Sequence, residues 1–228
     1  MLLGKGIMIN WADVAPEDRT TYDTWHCHEH TVGRVAIPGF CRGRRYIASD
    51  TERATRDFLT MYEVDDLSVL TGADYLAKAN SPSALTRATT PVIKNSVRGL
   101  SRVRASFGDA TGGSALTLRF SPLAGREDEL ERFLVDVALP RISKRPDMCG
   151  AHLIVADQDA SKMTPVERQG RPTEIPNWVV LLEGFRPDAV AAAGDAELAD
   201  AMLAAQGCAP GVERDSYLLQ FLVPKPNS

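Results

Sequence analysis

No apolar stretch of the 228-residue sequence approaches the roughly 20 residues that span a bilayer. Its opening, MLLGKGIMINW, lacks the apolar run and small-residue cleavage site of a secretory signal, so a cytoplasmic protein without a membrane partner is expected. Basic residues are in the minority, 26 Lys and Arg against 30 Asp and Glu, and a net charge of −4 offers no positive footprint for a phosphate backbone. Nucleic acid is therefore set aside as a partner. The four cysteines, Cys27, Cys41, Cys149 and Cys208, form neither a Cys-x-x-Cys pair nor the spacing of a small disulfide scaffold, and reduced thiols are expected. A Gly-rich phosphate loop and a Gly-x-Ser-x-Gly elbow are also missing, which argues against nucleotide-dependent and serine-hydrolase chemistry.

With 44% hydrophobic and 25% charged residues, the chain can build an ordinary globular core, and its length suits two units of about 110 residues. The first unit reads as a strand at Gly6–Trp11, then a helix from Pro16 to about Val32 with Gly33 as its stop. Strands at Cys41–Ala48 and Asp57–Val64 follow, then a short amphipathic helix over Asp66–Ala79 and a period-two strand over Val97–Phe107. After a flexible Asp109–Gly113 link the order repeats, with strands at Ser114–Phe120, Cys149–Val155, Trp178–Phe185 and Tyr217–Val223. The intervening helices are placed at Glu127–Ile142 and Ala189–Ala205.

Two β-α-β-β-α-β orders in one chain predict an α+β fold of two tandem ferredoxin-like units, residues 1–109 and 113–228. Each four-stranded sheet would be covered by helices on one face only, so the two bare faces are expected to pack together as a pseudo-dimeric α+β barrel. Such a barrel tolerates a homodimer without requiring one. The first unit is expected to carry the site and the second to be mainly structural.

The run Tyr22-x-x-Trp25-His26-x-x-Glu29-His30, with Ile37-Pro38-Gly39-Phe40 and Arg44-Arg45-Tyr46 after it, resembles the dimeric α+β barrel superfamily and within it the EthD-like branch. The resemblance covers roughly residues 4 to 107, including Tyr62-Glu63 at a strand end; the second half shares topology alone. That superfamily holds muconolactone isomerases, polyketide cyclases, oxygenases of polycyclic phenols and haem enzymes, so it implies a small-molecule site without fixing a reaction.

On a helix turning 100° per residue, Tyr22, Trp25, His26 and Glu29 share an arc of about 100°, with Asp18 beside them and His30 at the edge. A sheet-facing arc of that polarity needs a cavity or a paired network. His26 is the natural proton shuttle. Glu29 or Asp18 would hold its tautomer, Tyr22 or His30 would polarise a carbonyl, Trp25 would form a wall, and Arg45 beside Tyr46 would anchor a carboxylate. His28 points away as a surface residue, and the loop from Asn80 to Pro91 would form a rim. The His-x-x-Glu-His spelling of an inverted zinc-protease motif is discounted, because such proteases are far larger and need a further carboxylate ligand on a second helix, and three nearby histidines match the spelling easily. His152, alone in a strand, reads as a core residue.

These residues and the resemblance together lead to a cofactor-independent isomerase, cyclase or lyase acting on a small conjugated carbonyl or acid, with no metal or cofactor expected. A non-catalytic binding module, and an oxygenase that uses haem, a metal or no cofactor, are the competing readings.

Overall fold

The computed structural model of the protein describes residues 1–50 and 54–226, so the second unit's last two residues lie outside the described residues. In chain order β1 (Gly6–Val14) leads to helix α1 (residues 19–35), then β2 (Phe40–Ala48) and β3 (Phe58–Val64). Helices α2 (Ala73–Asn80) and α3 (Ala84–Thr89) follow, then β4 (Ile93–Phe107) and β5 (Ser114–Phe120). The second half continues with α4 (residues 127–143), β6 (Met148–Ala156), α5 (Gln158–Ser161), β7 (Thr173–Glu174), β8 (Trp178–Gly184), α6 (Pro187–Glu197), α7 (Asp200–Ala205) and β9 (Glu213–Pro224).

The eight long strands close into an antiparallel barrel in the order β1-β3-β2-β9-β5-β8-β6-β4, with β4 pairing back onto β1. Strands β4-β1-β3-β2 form one ferredoxin-like sheet and β9-β5-β8-β6 the other. Two seams join them: β2 to β9, from Arg42↔Pro224 to Ala48↔Tyr217, and β4 to β6, from Ser101↔Ala156 to Phe107↔Ala151. The bare faces do not merely stack; their edges are hydrogen-bonded, which leaves no free edge in the ring. The expected α+β barrel is thus formed within one chain.

Period-two alternation decides what lies inside. Ile7, Ile9, Trp11, Leu59, Met61, Val179 and Leu181 point inward and fill the barrel, so its interior is a core rather than a pocket. Each such side chain stabilises the fold by about 1.5–3 kcal/mol through its burial. The alternate residues point outward to the helices. In the second half Leu116, Leu118, Leu153, Val180 and Leu182 pack against Leu130 and Leu134 of α4. In the first half the outward face is mixed: Met8, Tyr62, Val64 and Leu100 are apolar or aromatic, but Asn10, Thr60 and Arg98 are not.

Several boundaries differ from the sequence reading. Helix α1 does not stop at Gly33 but runs to Val35, and the αL turn falls at Gly39, φ +83°, where a Cβ would meet Val69 Cγ2 at 2.6 Å. The expected helix over Asp66–Ala79 splits at Gly72 into a 3-10 turn, Leu67–Thr71, and α2. That over Ala189–Ala205 breaks between Glu197 and Asp200. The expected rim over Asn80–Pro91 contains a helix, α3, capped by the Ser83 hydroxyl, which accepts from the Thr86 N–H.

Candidate active site

Helix α1 is not uniformly α-helical. Residues His26–His30 form a π-turn, and α4 carries one at Phe133–Ala138, the corresponding place in the second half. The π-turn is therefore a feature of the repeated unit; its chemistry in the first half comes from the residues in it. There it sets the His26 and His30 rings side by side, 5.6 Å between centroids, with the His30 ring tilted at 38° against Trp25 at 4.3 Å.

His26 is buried and lines a cavity of about 70 Å³ between α1 and the outer face of the first sheet. Its Nδ1 is 3.1 Å from the Thr31 hydroxyl and its Nε2 is 3.3 Å from the Tyr62 hydroxyl, while those two hydroxyls are 3.4 Å apart. With Nδ1–H donating to Thr31, Nε2 carries the lone pair and faces Tyr62 and the cavity. Burial and then the nearby Arg45 charge hold the His26 imidazole well below its usual range, so the ring is neutral at pH 7. Burial followed by Arg34 does the same to His30. Burial pushes the Tyr22 phenol up to about 12, and Tyr62 is raised as well, so both remain hydroxyl donors.

The proposed residues do not all meet. Tyr22, Trp25, His26 and His30 line the cavity together, and His28 is exposed as expected. Glu29 does not orient His26. Its Oε1 accepts from Ser83 at 2.5 Å and from Thr86 at 3.1 Å, and Thr86 also accepts from the Trp25 indole at 3.0 Å, so Glu29 fastens α3 over α1. Tyr46 is a correction: it lies inside the barrel, one face of β2 away from the cavity, where Arg44 donates to its hydroxyl at 2.7 Å. Arg45 is on the cavity's side of β2 but behind its wall, over the Tyr22 ring at 4.8 Å and the Phe58 ring at 4.7 Å, and paired with Asp23. It shapes the field at His26 without lining the cavity.

Other lining residues escaped the sequence reading. Tyr62 lines the cavity with its hydroxyl, Thr31 reaches His26 from behind the wall, and Gly43 makes room for both: a Cβ there would meet Thr31 Cγ2 at 2.6 Å and the Tyr62 ring at 3.2 Å. Arg34 from α1 and Arg98 from β4 are both buried, and Glu167, Arg168 and Arg171 arrive on a strap from the second half. The strap is held by Arg34–Glu167 pairing and by β7, which adds in parallel to β4 through Ser96↔Thr173 and Val97↔Glu174. Arg98 had a legible signal, an arginine between Val97 and Gly99 in a strand whose alternate residues are small or apolar; the strap had none. Next to the cavity lies an open groove of about 730 Å³, and Thr90, Ile93, Ser96 and Arg171 line both spaces.

Haem enzymes occur among the proteins that the sequence resembles, so the donor set was tested against that group. On the second half's outer face the space is filled by leucine and valine. His152 points the other way, into the barrel, with Nδ1 2.9 Å from Ser106 Oγ and Nε2 3.1 Å from Glu183 Oε2. The first-half cavity is far below the 300–1,000 Å³ of ordinary ligand pockets. A porphyrin does not fit either face as it stands. Among the described residues no three His, Cys, Asp or Glu side chains converge as metal ligands.

No family model and no curated sequence matches the chain. Solved structures do. An anthrone oxidase-like protein aligns over 97% of this chain and 93% of its own, with TM-score 0.65 and 11% identity. A monooxygenase-like protein from Fusobacterium nucleatum aligns over 100% and 98%, with TM-score 0.63 and 10% identity. A chlorite dismutase-like protein aligns over 96% of each chain, with TM-score 0.56 and 11% identity. At such identities the likeness concerns the backbone, and it agrees with the strand order found here: the chain has the dimeric α+β barrel fold, with both halves of the barrel in one polypeptide.

Proposed function

We propose that the protein is a cofactor-independent oxygenase or oxidase that removes a proton from an enolisable cyclic ketone or phenol and lets the resulting anion react with dioxygen. The observation that carries this reading is His26, a neutral imidazole with its Nε2 at the wall of a cavity ringed by guanidinium groups. A neutral imidazole accepts a proton, and the positive field stabilises the enolate or phenolate that remains. Tyr62, whose raised pKa keeps it protonated, donates to the developing oxyanion, and Thr31 orients the His26 ring through Nδ1. An electron-rich carbanion reduces dioxygen directly; the peroxide formed takes up the proton held on His26 and loses water. The balance is one ketone CH₂ and one O₂ to one C=O and one H₂O.

The names of the neighbouring structures, anthrone oxidase-like and monooxygenase-like, support oxidation over isomerisation as the fate of the anion. An isomerase would share the first step and return the proton to another carbon. The cavity admits the reacting edge of a ring, with the remainder lying in the adjoining groove. The reacting groups belong to the first unit, whereas the second supplies the strap as well as half the barrel.

Oxygen uptake with anthrone as the probe tests the reading. One O₂ consumed per ketone, with His26→Ala slower by about 10²–10⁴, is expected. Conversion that proceeds equally under nitrogen would instead establish the isomerase, and no conversion of any enolisable ketone would end both.

A further inference from the structure

We infer that Arg98, Arg168 and Arg171 form an oxyanion subsite that takes the carboxylate of an organic acid entering from the groove beside the strap. The inference rests on this cavity being the substrate site and goes beyond the reaction proposed for it. Among the described residues the cavity's one carboxylate, Glu167, is already paired with Arg34. The other three guanidiniums have neutral partners: Arg98 donates to the Tyr75 hydroxyl at 3.1 Å, Arg168 to Thr173 at 2.7 Å and Arg171 to Ser96 at 3.3 Å. Among the described residues none of the three has an acidic side chain within ion-pairing distance.

Arg98 is buried and Arg168 and Arg171 are half-buried; a cation drawn out of water without a counterion is costly, and here like charges face one another. Burial, then Arg98 and Arg171, pull the Arg168 guanidinium below its ordinary value. Among the described residues two N–H groups of the cavity's guanidiniums stay buried with no acceptor, Arg171 Nε and Arg34 Nη1. Donors in such surplus want an acceptor from outside. Planar guanidiniums bind a carboxylate bidentately, and Arg171, at the boundary of groove and cavity, is the first an entering acid meets. The aromatic walls, Trp25 and Tyr22, suit the ring of an aromatic acid better than a bare inorganic anion.

Calorimetric titration of the intact protein with benzoate, phenol and inorganic phosphate tests this. Benzoate should bind at least about tenfold tighter than phenol or phosphate, and Arg171→Gln should lose at least about tenfold for benzoate, the factor that a lost charged hydrogen bond brings. Because burial opposes the Arg171 charge, Arg171→Gln should melt no lower than the wild type without ligand; should it fail to fold, Arg168→Gln carries the same expectation. Arg104→Gln, on an exposed arginine paired with Glu131, should bind as the wild type does. Equal binding of benzoate and phenol, tighter binding of phosphate, or benzoate binding within twofold of wild type in the strap variant would overturn the subsite. Benzoate binding survives in His26→Ala if the two roles are separate. Oxygen uptake from a keto acid that is indifferent to Arg171→Gln would sink the subsite alone, whereas benzoate binding without any oxygen uptake would sink only the oxygenase reading.

Discussion

Arg44 sits at one end of the barrel interior with no exposed side-chain surface, and replacing it with methionine removes the one cation between two buried acids. Its Nη2 stands 2.8 Å from Glu63 Oε1, as an ion-pair contact outside hydrogen-bond geometry, and its Nη1 pairs with Glu183. Glu63 would keep Arg42 at 2.8 Å and the Leu3 N–H at 2.6 Å, so it remains neutralised. Among the described residues Glu183 would keep only the Tyr46 hydroxyl at 3.3 Å and His152 at 3.1 Å, the latter itself pushed down by burial. Breaking a buried pair from one side costs about 3–5 kcal/mol. For a chain of this size that corresponds to a fall in melting temperature of roughly 6–20 °C.

The pH dependence separates charge from packing. Burial alone would raise the Glu183 carboxyl, but Arg44 and then His152 outweigh it and hold it at about 2. A depressed pKa contributes stability above the unfolded value of about 4.3 and loses it as pH falls toward 2. In Arg44→Met burial prevails and the pKa rises above that value, so the variant gains relative to the wild type as pH drops from 7 and Glu183 protonates. Urea unfolding followed by tryptophan fluorescence at pH 7 and pH 5 should show the gap narrowing. A gap below about 1 kcal/mol, or one of equal size at both pH values, would refute the charge argument.

His26→Ala should lose most of its turnover with anthrone, whereas His28→Ala, exposed on the far side of α1, should stay within about threefold; equal losses would remove His26 from the chemistry. Because burial lowers the His26 and His30 pKa values, the unfolded chain binds protons first below about pH 6.5, and stability should fall by up to about 1.4 kcal/mol per pH unit for each ring; His26→Asn should show a shallower slope in pH-dependent melting. Gly43→Ala should displace Thr31 and Tyr62 and reduce turnover more than stability, measured by kcat and melting temperature on the same sample. Tyr46→Phe should leave turnover unchanged while costing about 1 kcal/mol in urea unfolding, since its hydroxyl serves Arg44 and Glu183 inside the barrel.

The sequence by itself determined the element order, the doubling of the unit and the faces of the strands, because these follow from local periodicity. Tyr22, Trp25, His26 and His30 were legible as a cluster for the same reason: a helix places residues three and four apart on one side whatever surrounds it. The tertiary structure alone decided which polar groups meet. Glu29 lies on the right helix, but α3 draws it away from His26. Tyr46 neighbours Arg45 in sequence, yet the period of two sends them to opposite sides of a barrel wall. The strap with Arg168 and Arg171 follows no period, and its place against β4 comes from a pairing between segments more than 70 residues apart, Ser96 with Thr173. Contacts of that range are fixed by closure of the whole barrel, which no local pattern encodes.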